Sequence, residues 1–316
     1  MASAQRLLVV VDPTAATQPA FERAARIAPQ LGLELELFIC PQEGLPARRL
    51  TAGESRQARA AQLGHQLAFL KGLAGRYPQL AISAKAVWDR PLHEAIIRET
   101  LRCEPRLVMK DTHYHAPLAR VLFTNTDWHL IRDCPAPLWL VRDQAWPGEP
   151  VISAFVDPLH EHDAPAELDH RILTEATLLA RQLGGEAHAV HCFQAANPTT
   201  GLPVAAGQVA QMVDELQQEH ATRLGEVAAD HHIPPARTHL HSGAPAQVIP
   251  VVARELRTNL AVIGAVARSR LQQVFIGNTA ERILEQLSCD VLVVKPSRYE
   301  SPVTYRAQPP DFMEVP

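Results

Sequence analysis

Residues 107–142 and 260–295 align without a gap at a spacing of 153, and this repeat limits the fold more than any other feature of the chain. Leu107/Leu260, Leu118/Leu271, Val121/Val274, Asn125/Asn278, Thr126/Thr279 and Val141/Val294 are identical pairs, and Arg142 and Lys295 share the last slot. Upstream, LLVVVDP at 7–13 pairs with ISAFVDP at 152–158, and QLGLELELFIC at 30–40 with QLGGEAHAVHC at 182–192. These spacings are 145 and 152, so the second copy holds about seven extra residues shortly after its first strand. Three matches in the same order mark a duplication, and one fold must serve both halves.

Each copy alternates short apolar runs with helical periodicity. In the second, Val151–Val156 reads as a strand, and Ile172, Ala176, Leu179 and Leu183 recur at helical spacing. Strands follow at 187–192 and 236–242, separated by a long polar helix over about 204–231. A helix opened by Pro245 runs to Arg257, and strands at 260–264 and 290–295 flank a helix beginning near Asn278. The first copy fits the same scheme, with strands near 6–11, 33–39, 81–88, 106–110 and 137–142. Strands joined by right-handed crossover helices make a parallel, doubly wound α/β sheet buried on both faces. The predicted organisation is a first domain over 1–143, a second over 150–297, and a C-terminal segment over 298–316. DQAWPGEP at 143–150 is the boundary, where proline, glycine and charge cluster. The last segment has proline, no apolar period and no strand pattern, so a surface tail is expected.

Composition narrows the function. The chain has 316 residues, a 47% hydrophobic fraction and a formal net charge of −4, which describes a folded protein with no basic footprint for nucleic acid. No apolar run reaches the roughly 20 residues that span a bilayer. The short run after Arg6 is closed at once by Asp12, unlike a signal peptide, so a cytoplasmic protein without membrane insertion is expected. Five scattered cysteines without a CxxC pair read as reduced thiols.

In such a sheet, ligands bind beyond the carboxyl ends of strands where the strand order reverses. Two features meet there in each copy: the aspartate after strand one, Asp12 or Asp157, and the loop after strand four, beginning at Asp111 or Gly264. Such an aspartate can accept hydrogen bonds from an adenine amino group or ribose hydroxyls, or simply close an Asp-Pro turn. The second-copy loop starts and ends in glycine and delivers Gly277-Asn278-Thr279 to a helix start, where free N–H groups favour phosphate. Neither a GxxxxGK[ST] loop nor a GxGxxG fingerprint is present.

Gly264-x-x-Ala267, nine residues, then Gly277-Asn278 resembles the glycine-loop motif of the universal stress protein family. The repeated Val-Asp-Pro start and HLHSGAPAQVIPVVARE at 239–255 resemble that family as well, and the duplication is similar to its tandem, E-type members. The resemblance covers nearly all of both halves. It implies two tandem, five-stranded, Rossmann-like domains of the adenine nucleotide alpha hydrolase-like kind, related by a pseudo-two-fold. In nucleotide-binding members the matching aspartate contacts adenine and the glycine loop holds ribose and phosphates. By that resemblance the second-domain ligand site is Asp157, Gly264, Ala267, Arg268, Gly277, Asn278 and Thr279; no cofactor is fixed by it, and ATP or another adenine nucleotide, with magnesium, is the candidate.

Ala267 stands where the motif has its middle glycine, at a cost on the order of 1 kcal/mol if positive φ is needed there. Arg268 beside it can pair with phosphate. In the first copy Asp111, Tyr114 and Thr124 occupy the glycine positions, ahead of Asn125 and Thr126. With Asp12, these form a degenerate site from which ordinary ATP binding is not expected. The expected function is a non-enzymatic stress-response protein acting through a small ligand or protein partners. An ATP-binding protein with slow hydrolysis or phosphotransfer is the first alternative, and a carrier of a larger apolar ligand in one cleft the second. Self-association through the fifth strands, Leu138–Val141 and Val291–Val294, is a further implication of the resemblance.

Fifteen histidines invite a metal site. The dense pairs are His113/His115, His160/His162, His188/His191, His231/His232 and His239/His241, with Asp163 beside His162. No HExxH or third-ligand spacing accompanies them, so hydrogen-bonded or solvated histidines are expected and no metal.

Overall fold

The computed structural model describes residues 6–41, 52–115, 120–159, 166–194, 206–265, 278–305 and 311–315. In chain order the elements begin with β1 (Arg6–Val10), α1 (Pro19–Leu31), β2 (Glu34–Ile39), α2 (Ala52–Ala74), β3 (Ile82–Trp88), α3 (Leu92–Cys103) and β4 (Leu107–Asp111). Two three-residue strands, β5 (His113–His115) and β6 (Arg120–Leu122), precede α4 (Asn125–Asp133) and β7 (Leu138–Val141). The second series is β8 (Val151–Val156), α5 (Ala166–Leu183), β9 (Glu186–Phe193), α6 (Ala206–Asp230), β10 (Thr238–Ser242), α7 (Pro245–Glu255), β11 (Leu260–Gly264), α8 (Asn278–Gln286) and β12 (Asp290–Val294). A last strand, β13 (Asp311–Val315), follows. The chain divides into two compact units: Met1–Pro117 with Leu122–Gln144 and Tyr299–Pro316, and Leu118–Val121 with Ala145–Arg298.

In the first unit, β3, β2, β1, β4 and β7 lie side by side in that order, all parallel. In the second, β10, β9, β8, β11 and β12 repeat it. The strand order reverses between β1 and β4 and between β8 and β11, so each unit has one switch point. Four of the five β1 residues are buried, as are all of β7 and β12, which is how strands covered on both faces read in sequence. Trp139 on β7 is fully buried and is the bulkiest such side chain among the described residues. The repeat holds at atomic detail. β4 and β11, and α4 and α8, match residue for residue at the spacing of 153. Thr112 N–H donates to Val141 O at 2.8 Å, and Ala265 N–H to Val294 O at 2.9 Å.

The C-terminal segment corrects the sequence reading. Asp311–Val315 is not a strandless tail but the antiparallel strand β13 on the outer edge of β3, running from Asp311 opposite Trp88 to Val315 opposite Ala84. Two tertiary ion pairs anchor it, Arg59–Asp311 at 3.2 Å and Lys85–Glu314 at 3.8 Å, and the Lys85 ammonium sits 5.4 Å from the Phe312 ring centroid. Lys85 is buried and also holds Glu99 at 3.1 Å. Arg102 links Glu99 to Glu36, and Arg6 reaches Glu36 at 3.2 Å. Burial, a hydrogen bond donated to Glu99 and the Glu99 charge push the Glu36 carboxyl up. Cys103 lies close enough to join Glu36 and Glu99 around a cation. Three basic side chains already neutralise that cluster, so it reads as a buried charge network.

Candidate functional site

Of the two switch points, the second is the expected ligand site and the first its degenerate counterpart, and the first is the more fully described. Asp12 follows β1, and its Oδ1 accepts hydrogen bonds from the Thr14 N–H at 2.8 Å and the Thr14 hydroxyl at 2.6 Å. Its carbonyl accepts from the Gln18 amide at 2.6 Å. Those bonds shape the turn into α1, the structural role an Asp-Pro step can take.

Asp111 closes β4, and its Oδ1 accepts the Ala20 N–H at 2.5 Å. Ala20 lies in the first turn of α1, whose N-cap residue Gln18 makes no side-chain cap bond. A carboxylate from the neighbouring strand therefore occupies the anion position of this helix start. Burial pushes the Asp111 carboxyl up to about 7, against the pull of the Ala20 N–H and Lys110, with Asp12 and Asp143 adding to the rise.

The sign of the resulting pH dependence follows directly. The folded unit keeps this proton until about pH 7, whereas the unfolded chain releases it near 3.8. The stabilisation is therefore complete at acid pH and lost as pH rises through that window, by on the order of 4 kcal/mol. Asp111→Asn keeps the acceptor for Ala20 and removes the titration. The variant should be more stable than the parent at pH 8, with the difference vanishing below pH 4. Denaturant melts at both pH values check this, and a pH-independent difference would contradict it.

α4 is closed in the same self-contained way. Thr124 is its N-cap, and its N–H and hydroxyl donate to Asp127 Oδ2 at 2.7 and 2.8 Å, while the Asp127 N–H donates back to Thr124 Oγ1 at 3.2 Å. Asp127 is fully buried, and its Oδ1 lies 2.8 Å from Lys110 Nζ, which also donates to Asp111 O at 2.9 Å. Asn125 and Thr126 fall in the first turn of the helix. Tyr114 lies in β5. A cleft of about 370 Å³ has Asp12, Lys110, Asp111, Thr124 and Thr126 on its wall.

Sequence reasoning missed Lys110 and Asp127. The signal was a lysine ending the apolar strand LVMK, where the second copy has Ile263, followed by an acid at the third helical position, where a capping box needs one. It missed Gln62 and Gln66 of α2 on the same wall as well, because the contact is not local.

At the second switch point, β8 and β11 are neighbours, so Asp157 and Gly264 stand at the carboxyl ends of adjacent strands. The Asp157 N–H donates to Asp169 Oδ1 at 3.1 Å. A Cβ on Gly264 would lie 2.6 Å from Leu168 Cδ2 and 3.0 Å from Ile172 Cδ1, so α5 packs against this glycine directly. The equivalent position in the first unit is Asp111, whose side chain reaches out to hold α1. α8 is described from Asn278 onward, so Asn278 and Thr279 lie at the start of its described residues. Ala267, Arg268 and Gly277 lie outside the described residues, as do His160, His162 and Asp163.

The histidines pair, but not with their sequence neighbours. His188 Nδ1 meets His239 Nε2 at 2.9 Å across β9 and β10, and His170 Nδ1 meets His231 Nε2 at 2.9 Å. His191 Nδ1 donates to Val156 O at 2.9 Å, since a carbonyl only accepts, which leaves its Nε2 to receive the His220 Nδ1 proton at 2.8 Å. Burial lowers the pKa of His239, with the His188 charge adding to it, and burial lowers that of His188. All five cysteines are free thiols, and burial pushes Cys40 up to about 11 and Cys103 and Cys192 up to about 12, away from nucleophilic use. Among the described residues no helix is long and apolar enough to cross a membrane.

Two doubly wound units with matching switch points define a tandem α/β protein built from one duplicated fold. The chain belongs to the universal stress protein family: the family's model matches residues 3–142 and again 163–295. Universal stress protein E of Photorhabdus laumondii is 32% identical over 310 residues, covering 96% of this chain and 98% of that relative. Universal stress protein E of Escherichia coli (strain K12) is 32% identical over 308 residues with the same two coverages. Among solved structures, a functionally unknown protein from Pseudomonas aeruginosa PAO1 superposes with a TM-score of 0.69 at 25% identity, over 93% of this chain and 94% of that one. A universal stress protein from Archaeoglobus fulgidus shares the fold at a TM-score of 0.61 and 14% identity, over 92% of this chain and 98% of its own.

Proposed function

We propose that this protein is a non-enzymatic, cytoplasmic stress-response protein that acts by binding, with a weak adenine-nucleotide site at the second switch point. The observation that carries the reading is the pairing of Asp157 with a glycine-started loop at the ends of β8 and β11, the place where doubly wound sheets hold ligands. The site residues are Asp157, Gly264, Ala267, Arg268, Gly277, Asn278 and Thr279. Asp157 accepts from the adenine or ribose edge, the start of α8 faces phosphate, and Arg268 pairs with it. Ala267 weakens the site relative to a full glycine loop. No residue set for nucleophilic or general-base catalysis accompanies these groups in the sequence, so binding without turnover is the expected behaviour.

Equilibrium binding of ATP with magnesium, read together with phosphate release, tests both halves of this reading. Binding in the high-micromolar to millimolar range is expected, weakened about tenfold in Asp157→Ala, which corresponds to ~1.4 kcal/mol for a lost hydrogen bond. Absence of binding at millimolar ATP would remove the nucleotide site. Magnesium-dependent phosphate release that disappears in Asp157→Ala would make the protein an enzyme.

A further inference from the structure

We propose that the cleft of the first unit is itself a ligand site, selective for an uncharged ring compound with hydrogen-bond donors and closed to phosphate-bearing ligands. The cleft, of about 370 Å³, falls within the size range of small-molecule sites. Val10, Val11, Pro13, Cys40, Pro41 and Leu92 give it apolar walls suited to a flat ring.

Its rejection of phosphate follows from where the anion anchors are engaged. The Ala20 N–H at the start of α1 is held by Asp111. The start of α4 is closed by the Thr124–Asp127 capping box. Lys110, the ammonium on this wall, lies 2.8 Å from the Asp127 carboxylate. A phosphate entering here would find protein carboxylates already in the positions it needs, and Asp12 on the same wall adds repulsion. An organic cation is no better served, because Asp12 and Asp111 point oxygens at internal donors, Lys110 stands beside them, and burial favours the neutral form of Asp111.

What the cleft does offer is an acceptor. Gln66 Oε1 is buried on the cleft wall with no hydrogen-bond partner among the described residues. Gln62, one turn earlier on α2, lines the same wall. A buried carbonyl oxygen without a donor costs free energy that a ligand N–H or O–H would recover. The position of Gln66 thus selects for a donor on the ligand, and the occupied helix starts select against charge.

Free nucleosides and their 5′-monophosphates differ by the phosphate alone, which makes them matched probes. Methyl NMR of the full chain, assigned at Val10, Val11 and Leu92, reports on this cleft and not on the second unit. At least one uncharged nucleoside should shift these methyls at low millimolar concentration or below. Its monophosphate should bind at least about tenfold more weakly. Gln66→Leu should weaken the nucleoside about tenfold, Gln66→Glu should retain it because the carboxylate still accepts, and Asp111→Asn should narrow the gap to the monophosphate. The proposal is overturned if none of the nucleosides moves these methyls at 10 mM, on the order of the weakest useful affinity. It is equally overturned if the monophosphate binds as tightly, if an amino-substituted cationic nucleoside binds best, or if Gln66→Glu fails as Gln66→Leu does. ATP binding at the second unit, weakened in Asp157→Ala, is read separately, so either site can fail alone.

Discussion

Asp127→Ala is expected to lower the stability of the first unit by about 3–5 kcal/mol. The carboxylate is fully buried and serves three partners: the Thr124 N–H, the Thr124 hydroxyl and Lys110 Nζ. Alanine removes the N3 half of the capping box, worth about 1 kcal/mol. The larger loss is electrostatic, since Lys110 is left as a buried ammonium without its counter-ion. Asp127→Asn separates the two contributions, because the amide oxygen can keep the cap while the charge pair is gone. Adding Lys110→Met to Asp127→Ala should return a large part of the loss, since an uncharged side chain of similar length then fills the site. Guanidinium unfolding followed by fluorescence, with Trp88, Trp128 and Trp139 in this unit, measures all three. A loss below about 1 kcal/mol in Asp127→Ala would show that Lys110 reaches solvent when its partner is removed.

The same residues show how much of the site could be read from sequence. The strands, the helices between them and the parallel, doubly wound class follow from apolar runs, spacing and the repeat, because these are local or periodic signals. Leu107–Asp111 and Leu260–Gly264 announce themselves as strands. What differs between them is position 111 against 264, and its meaning is tertiary. The aspartate was legible as hostile to phosphate. That it reaches across to cap α1 was not, because Ala20 is 91 residues away. Gly264 was legible as a loop start, yet its closest neighbours are Leu168 and Ile172 of α5, so helix packing alone demands a glycine there. The histidines teach the same lesson: sequence proximity suggested His188 with His191, but β9 and β10 bring His188 to His239, and α6 brings His220 to His191. Fold came from pattern, whereas the character of each pocket was set by single side chains meeting across the sheet.

Ending the chain after Tyr305 is expected to make the protein associate through the uncovered edge of β3. β13 covers the outer edge of β3, and DFMEV gave little warning of this because it follows two prolines and alternates poorly. Without it, β3 presents unpaired N–H and C=O groups along a strand whose last five residues are buried in the intact chain. Such an edge is a template for pairing with another chain. The truncated protein also loses the Arg59–Asp311 and Lys85–Glu314 contacts, although Lys85 keeps Glu99 at 3.1 Å and so retains a counter-ion. The direct stability loss should thus be moderate, about 2 kcal/mol or roughly 4–8 °C for a unit of this size. Association is the larger effect, and sedimentation velocity across a concentration series should show species growing with concentration in the truncated chain but not in its parent. A peptide with the sequence of residues 306–316, added in excess, should reverse the growth by refilling the edge. If the truncated chain keeps the parent's sedimentation behaviour and melting temperature, then β13 is an appendage and the edge of β3 is protected by its own twist and charge.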